Sequence, residues 1–78
     1  MGDIAYDRAV TTVKAALARE LKIPLEAVQL EARLAAMGLN ADRIRRVAAV
    51  VEAELDIDLD TTGITTGDTF VLAVVAAG

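Results

Sequence analysis

Few side chains in this 78-residue sequence could perform chemistry. The sequence contains no Cys, His, Ser or Trp, which excludes disulfides, thiolate metal sites, Ser or Cys nucleophiles and imidazole bases. Glu52, Glu54 and Asp56 could be imagined as a general acid and base pair, but the pattern around them supplies neither a pocket nor an oxyanion donor. We therefore expect a protein that is not an enzyme and has no catalytic residues.

An alternating acidic run could instead be interpreted as a metal site. Asp56, Asp58 and Asp60 have the spacing that opens an EF-hand calcium loop. Such a loop would also need Gly at position 61 and Glu at position 67, where this sequence has Thr61 and Gly67. A solvated acidic linker is the favoured interpretation, and we expect no metal site.

The charge pattern restricts the partners. The net charge is −4 and the pI is about 4.5, whereas nucleic acids and anionic membranes are bound by surplus Lys and Arg. All eight basic residues lie at or before Arg46, so the segment 47–78 carries acidic charges alone. The sequence has no signal-peptide pattern, and the apolar tail FVLAVVAA is too short to span a bilayer. We expect a cytoplasmic monomer that binds neither nucleic acid nor membrane.

Two helices follow from apolar spacing. From Tyr6, the positions Val10, Val13, Leu17 and Leu21 step by three or four and predict a helix over about 4–21, with Asp3 as a candidate N-cap and Pro24 preventing its continuation. A second stripe is formed by Ile44, Val47, Ala48, Val51 and Leu55, and it predicts a helix that starts at Asn40 or Ala41 and stops near 55–56.

The rest of the sequence connects these helices and adds a last one. The segment 23–40 keeps no single apolar face, which predicts a long loop with short helical turns, ended by Gly38. The segment 54–60 is interpreted as an extended linker held by Ile57 and Leu59. Thr66 is a candidate N-cap for a final helix, with Asp68 in its first turn. The apolar positions of that helix are Phe70, Val71, Val74 and Val75.

This arrangement resembles an acyl or peptidyl carrier protein, the small helical domain that carries intermediates on a phosphopantetheine arm. The phrase LAAMGLNADRI stands in place of the family's Leu-Gly-x-Asp-Ser-Leu, and VVEAELDIDLD in place of Leu-Glu-x-Glu-Phe-x-Ile-x-Ile. ITTGDTF resembles the family's Thr-Val-Gly-Asp before the last helix. The resemblance implies a single all-α domain over 1–78. Its implied fold is a four-helix bundle with three main helices, one short helix before the last and a long first loop.

The resemblance also assigns an attachment site. Gly38 takes the family's Gly position, Asn40 takes that of the usual Asp, and Ala41 falls on the serine that bears 4'-phosphopantetheine, with Asp42 after it. In the family the serine hydroxyl is joined to the arm through a phosphodiester, near the positive end of a helix dipole. A methyl group has no oxygen for that ester, so the cofactor cannot be attached to this sequence.

Two explanations fit Ala41. One is a Ser-to-Ala substitution that keeps an acyl or aminoacyl carrier of fatty-acid, polyketide or nonribosomal peptide biosynthesis in its apo form. The other is a degenerate carrier-like module that acts only in protein-protein binding. For the carrier, the implied partners are a phosphopantetheinyl transferase and acyl- or aminoacyl-transferring or condensing enzymes.

The start of the second helix also departs from the family in its charge. Arg43, Arg45 and Arg46 make the opening turns basic, where family members are commonly acidic and apolar. With Leu39 they are the candidate partner-binding residues, and they favour partners with acidic patches. The alternative is a solvated face in which Asp42 supports Arg46 at a spacing of four residues. Leu17, Val47, Val51 and Val74 are expected to form the core or an acyl-chain tunnel.

Overall fold

A computed structural model of the protein describes residues 4–77. Three α-helices dominate it: α1 (Tyr6–Leu21), α2 (Ala41–Leu55) and α3 (Gly67–Ala77). Two short 3-10 turns, Leu25–Ala27 and Ala35–Met37, lie in the long connection between α1 and α2. The prediction of a small all-helical domain is confirmed, and no strand forms within 4–77 beyond a single bridge.

The helix bounds agree closely with the apolar spacing. α1 begins two residues later than expected, with Ala5 at its N-cap and no side-chain cap; the proposed cap Asp3 lies outside the described residues. The helix ends in a left-handed Lys22 whose N–H bonds the carbonyl of Ala18. The helix therefore already ends at Lys22, two residues before Pro24.

α1 packs against both α2 and α3, and the core forms along these contacts. Val13, Leu17, Val51 and Phe70 are fully buried. Alanines 9, 16, 18 and 48 are also buried, so small side chains make up part of this core. Tyr6 is 55% exposed, which corrects its predicted place at the start of the buried stripe.

The short helix expected before α3 does not form. Residues 56–66 contain turns but no helix. The half-buried side chains of Ile57 and Leu59 pack against the core at alternate positions, a spacing that suits extended backbone. The carboxylate of Glu52 accepts a hydrogen bond from the N–H of Leu59 at 2.7 Å. The only support for a fourth short helix within the described residues is the pair of 3-10 turns in the first connection.

The first connection is fastened to the start of α3. Leu34 donates its N–H to the carbonyl of Thr65 at 2.9 Å, and Asp68 donates to the carbonyl of Leu30 at 2.8 Å. Val28 and Leu34 are buried in the core. This connection is therefore packed against the rest of the domain, and these contacts fix the position at which α2 begins.

Candidate functional site

The candidate attachment position lies at the first residue of α2. Ala41 is exposed and opens the helix. Gly38 ends the preceding 3-10 turn at φ 90°, a left-handed conformation that suits glycine. Asn40 then takes extended backbone, and its side chain accepts a hydrogen bond from the N–H of Arg43 at 2.9 Å. Asn40 is therefore the N-cap of α2, at the start that the apolar spacing predicted.

Residue 41 is placed where a helix favours negative charge. The first turn of an α-helix leaves its N–H groups without partners in the helix, and the dipole adds partial positive charge. Asp42, also in this turn, has a side chain that is 78% exposed and forms an ion pair with Arg45. The structure therefore brings Gly38, Asn40, Ala41 and Asp42 together at one end of α2.

The three arginines differ in their surroundings. Arg43 hydrogen-bonds Glu20 on α1 at 2.8 Å and has a side chain that is only 35% exposed. Arg45 and Arg46 are 62% and 67% exposed. Arg46 lies 3.5 Å from Glu20 and Arg45 pairs with Asp42, so the expected pair of Asp42 with Arg46 is replaced by these two.

Glu20 is the residue of this site that sequence analysis missed. Its side chain is 15% exposed, and the hydrogen bond from Arg43 lowers the pKa of its carboxyl group. Burial opposes this shift, while the positive charges of Arg43, Arg46 and Lys22 add to it. Glu20 and Arg43 are separated by 23 residues, and periodicity within one helix carries no signal for such a contact. Glu20 is the one acidic residue in the second half of α1, and this was the only signal in the sequence that could have pointed to it.

Leu39 is not available as a partner-binding residue in this conformation. Its exposed fraction is 1%, and it belongs to the core. Its N–H donates to the carbonyl of Leu34 at 3.0 Å. The side chain of Leu39 therefore fixes the turn to the core, while Ala41 is exposed to solvent.

The residues expected to form a core or an acyl-chain tunnel are core residues here. Leu17, Val47, Val51 and Val74 are all at most 1% exposed and pack together. A separate shallow depression lies beside the turn before Gly38, and it is lined by Leu21, Ile23, Ala27, Gln29 and Met37. Its walls are largely apolar.

The acidic linker has structural partners of its own. The carboxylate of Asp60 accepts a hydrogen bond from the N–H of Thr62 at 3.0 Å, and this bond lowers the pKa of Asp60. Asp56 is the left-handed residue that ends α2. Within 4–77, no three His, Cys, Asp or Glu side chains are grouped closely enough to hold a metal ion.

No helix in the described part of the chain is long and apolar enough to cross a bilayer. No protein-family model, curated protein or solved structure matches the sequence. The likeness to carrier proteins therefore stays a prediction that rests on the sequence phrases.

Proposed function

We propose that the protein is a carrier-type domain of fatty-acid, polyketide or peptide assembly, held in the apo form because Ala41 occupies the attachment position. The observation that carries the proposal is the exposed first residue of α2, which follows a left-handed glycine and a capping Asn40. A side-chain oxygen at this place would be accessible to a transferase and close to the positive end of the helix dipole.

This chain itself cannot bear 4'-phosphopantetheine. The methyl group of Ala41 offers no oxygen for a phosphodiester, and the sequence has no Ser elsewhere. The domain as it stands would bind the partners of a carrier without accepting their cargo. Partners would meet the exposed side chains of Arg45 and Arg46 next to residue 41, which favours acidic surfaces on the transferase and the condensing enzymes.

The second candidate is a carrier-like module that acts only in protein-protein binding. Ala41 itself favours it, because a protein that never bore an arm has no need of a hydroxyl there. The two candidates share the fold and the docking charges, and they differ in whether the surroundings of residue 41 still suit a transferase.

Introducing a hydroxyl at residue 41 distinguishes the two candidates. We would incubate the Ala41→Ser variant with coenzyme A and a broad-specificity phosphopantetheinyl transferase and measure its intact mass. The matched control is Ala49→Ser, which places the same hydroxyl at an exposed position in the middle of α2. A gain of one arm on Ala41→Ser alone supports the carrier. An unmodified Ala41→Ser chain, beside a known carrier that is modified in the same mixture, supports the binding module.

A further inference from the structure

Arg43 fastens three parts of the chain to one another. Its Nε donates to the carboxylate of Glu20 at 2.8 Å, and its Nη2 donates to the carbonyl of Glu20 at 3.1 Å. Its Nη1 donates to the carbonyl of Gly38 at 3.1 Å. All three guanidinium nitrogens are therefore engaged within the domain.

The backbone of Arg43 reaches the same turn from the other side. Its N–H bonds the side chain of the capping residue Asn40 at 2.9 Å. One residue thus holds the glycine before the turn, the cap at its end and the last turn of α1. Residue 41 lies between these fixed points.

We propose that Arg43 is a positioning residue, which sets the outward presentation of residue 41 by tying the Gly38 turn to Glu20. Its importance for loading rests on the proposed carrier function. The docking role expected for all three arginines then belongs to Arg45 and Arg46 alone, because the guanidinium of Arg43 is already occupied by Glu20 and Gly38.

A guanidinium is needed for this arrangement. Its planar fork offers donors in fixed and divergent directions, so it can bond a carboxylate and two carbonyls at once. A Lys ammonium is a compact charge that can stay beside Glu20 without reaching both carbonyls. Arg43→Lys therefore separates charge from positioning, while Arg43→Gln removes both.

Amide hydrogen exchange measured by NMR tests the positioning directly and does not depend on any carrier activity. In Arg43→Gln and in Arg43→Lys we expect exchange at the amides of Gly38, Leu39 and Ile44 to be faster by about tenfold. The amide of Asp68, which bonds Leu30 at the other helix start, should keep its rate. The matched control Arg45→Gln removes the same charge from the same helix and should leave the turn amides protected. Unchanged turn amides, or equal acceleration throughout the domain, would overturn the proposal.

Loading kinetics of the Ala41→Ser variant give a second readout. Adding Arg43→Gln should lower kcat for arm transfer, because the hydroxyl is no longer held in place. Adding Arg45→Gln or Arg46→Gln should raise KM instead, because those side chains meet the transferase. A rise in KM with unchanged kcat for Arg43→Gln would contradict the positioning role. If Ala41→Ser is never loaded, the proposed carrier function fails, and the exchange rates still decide the role of Arg43.

Discussion

The start of α2 and the start of α3 have similar caps but very different surroundings. Both helices follow a polar N-cap, Asn40 in one and Thr66 in the other. At α3 the cap is reciprocal: Thr66 Oγ1 accepts from the N–H of Thr69 at 3.1 Å, and Thr69 Oγ1 accepts from the N–H of Thr66 at 2.9 Å. At α2 the third helical residue is Arg43, whose side chain instead bonds Gly38 and Glu20.

The first residue of each helix shows what these differences achieve. Ala41 is exposed, whereas Gly67 is buried against the first connection. A Cβ at Gly67 would come within 2.7 Å of the backbone Cα of Leu30. The start of α3 is thus buried against the backbone of the first connection. The start of α2 is a solvent-facing platform, formed by residues 38–42 and held by the side chains of Asn40 and Arg43. Residue 41 on this platform is the attachment position that we propose.

The largest effect is expected from Gly67→Ala. The added methyl must displace the backbone of Leu30, so we expect unfolding to become easier by about 2 to 3 kcal/mol. Urea denaturation measures this difference. The matched control is Gly63→Ala, where nothing lies within 4 Å of the added Cβ, and its free energy of unfolding should change by less than about 0.5 kcal/mol. Equal effects at the two glycines would mean that α3 is not joined to the connection in this way.

Gly38→Ala should have a smaller effect, with a different cause. The site has room for a Cβ, but its φ of 90° is unfavourable for an L residue. We expect a loss of about 1 kcal/mol in the same urea measurement. Gly38→Asn should lose less, because Asn tolerates the left-handed region better than Ala. An Ala variant as stable as the Asn variant would contradict the backbone conformation at the platform.

The ion pair between Arg43 and Glu20 should make the free energy of unfolding depend on pH. The pKa of Glu20 is lowered in the folded protein from an ordinary value of 4.5. Its stabilising contribution is therefore complete above that value and is lost as the pH falls through the folded pKa. Without Arg43, the pKa of Glu20 is lowered less, so the free energy of unfolding of Arg43→Gln should fall less between about pH 6 and about pH 3. Urea denaturation at each pH measures this fall.

Asp60 also has a lowered pKa, through the N–H of Thr62, and it should contribute equally to the wild type and to Arg43→Gln. The difference between the two curves thus isolates Glu20. Arg45→Gln serves as the control for removing one positive charge from α2. If the free energy of unfolding falls equally at low pH in Arg43→Gln and in Arg45→Gln, the ion pair between Arg43 and Glu20 does not stabilise the fold.

The smallest effect is expected for Ala41→Ser. The position is exposed and lies at the first helical residue, where serine is well tolerated, so the free energy of unfolding should change by less than about 0.5 kcal/mol. Ala48→Ser places a hydroxyl at a position in the same helix that is 2% exposed. It should lose about 1 to 3 kcal/mol, because the hydroxyl is buried among apolar side chains. Thermal denaturation of the two variants would compare the platform with the core.

The sequence predicted the features that depend on local pattern. The spacing of Val13 and Leu17 located α1, and Gly38 with Asn40 located the start of α2 within a residue. Thr66 was predicted as the cap of α3 from its type and place. These features follow from the helical period and from the chemistry of caps, which operate over a few residues.

The features that were not predicted depend on contacts between distant segments. The bond of Glu20 to Arg43 and the close approach of Gly67 to Leu30 join residues that no periodic pattern links. Leu39 was expected at a partner surface, yet the turn directs it into the core. A resemblance between sequence phrases assigns positions along the chain, and packing decides which side chains face outward.

A comparison of serine variants at the two helix starts tests whether residue 41 is an attachment position. Ala41→Ser and Asp68→Ser each place one hydroxyl at an exposed position in the first turn of a helix. Both would be incubated with coenzyme A and a broad-specificity phosphopantetheinyl transferase and followed by intact mass. We expect Ala41→Ser to gain one arm and Asp68→Ser to stay unmodified. An arm on neither variant, or on both at equal rates, would contradict this expectation.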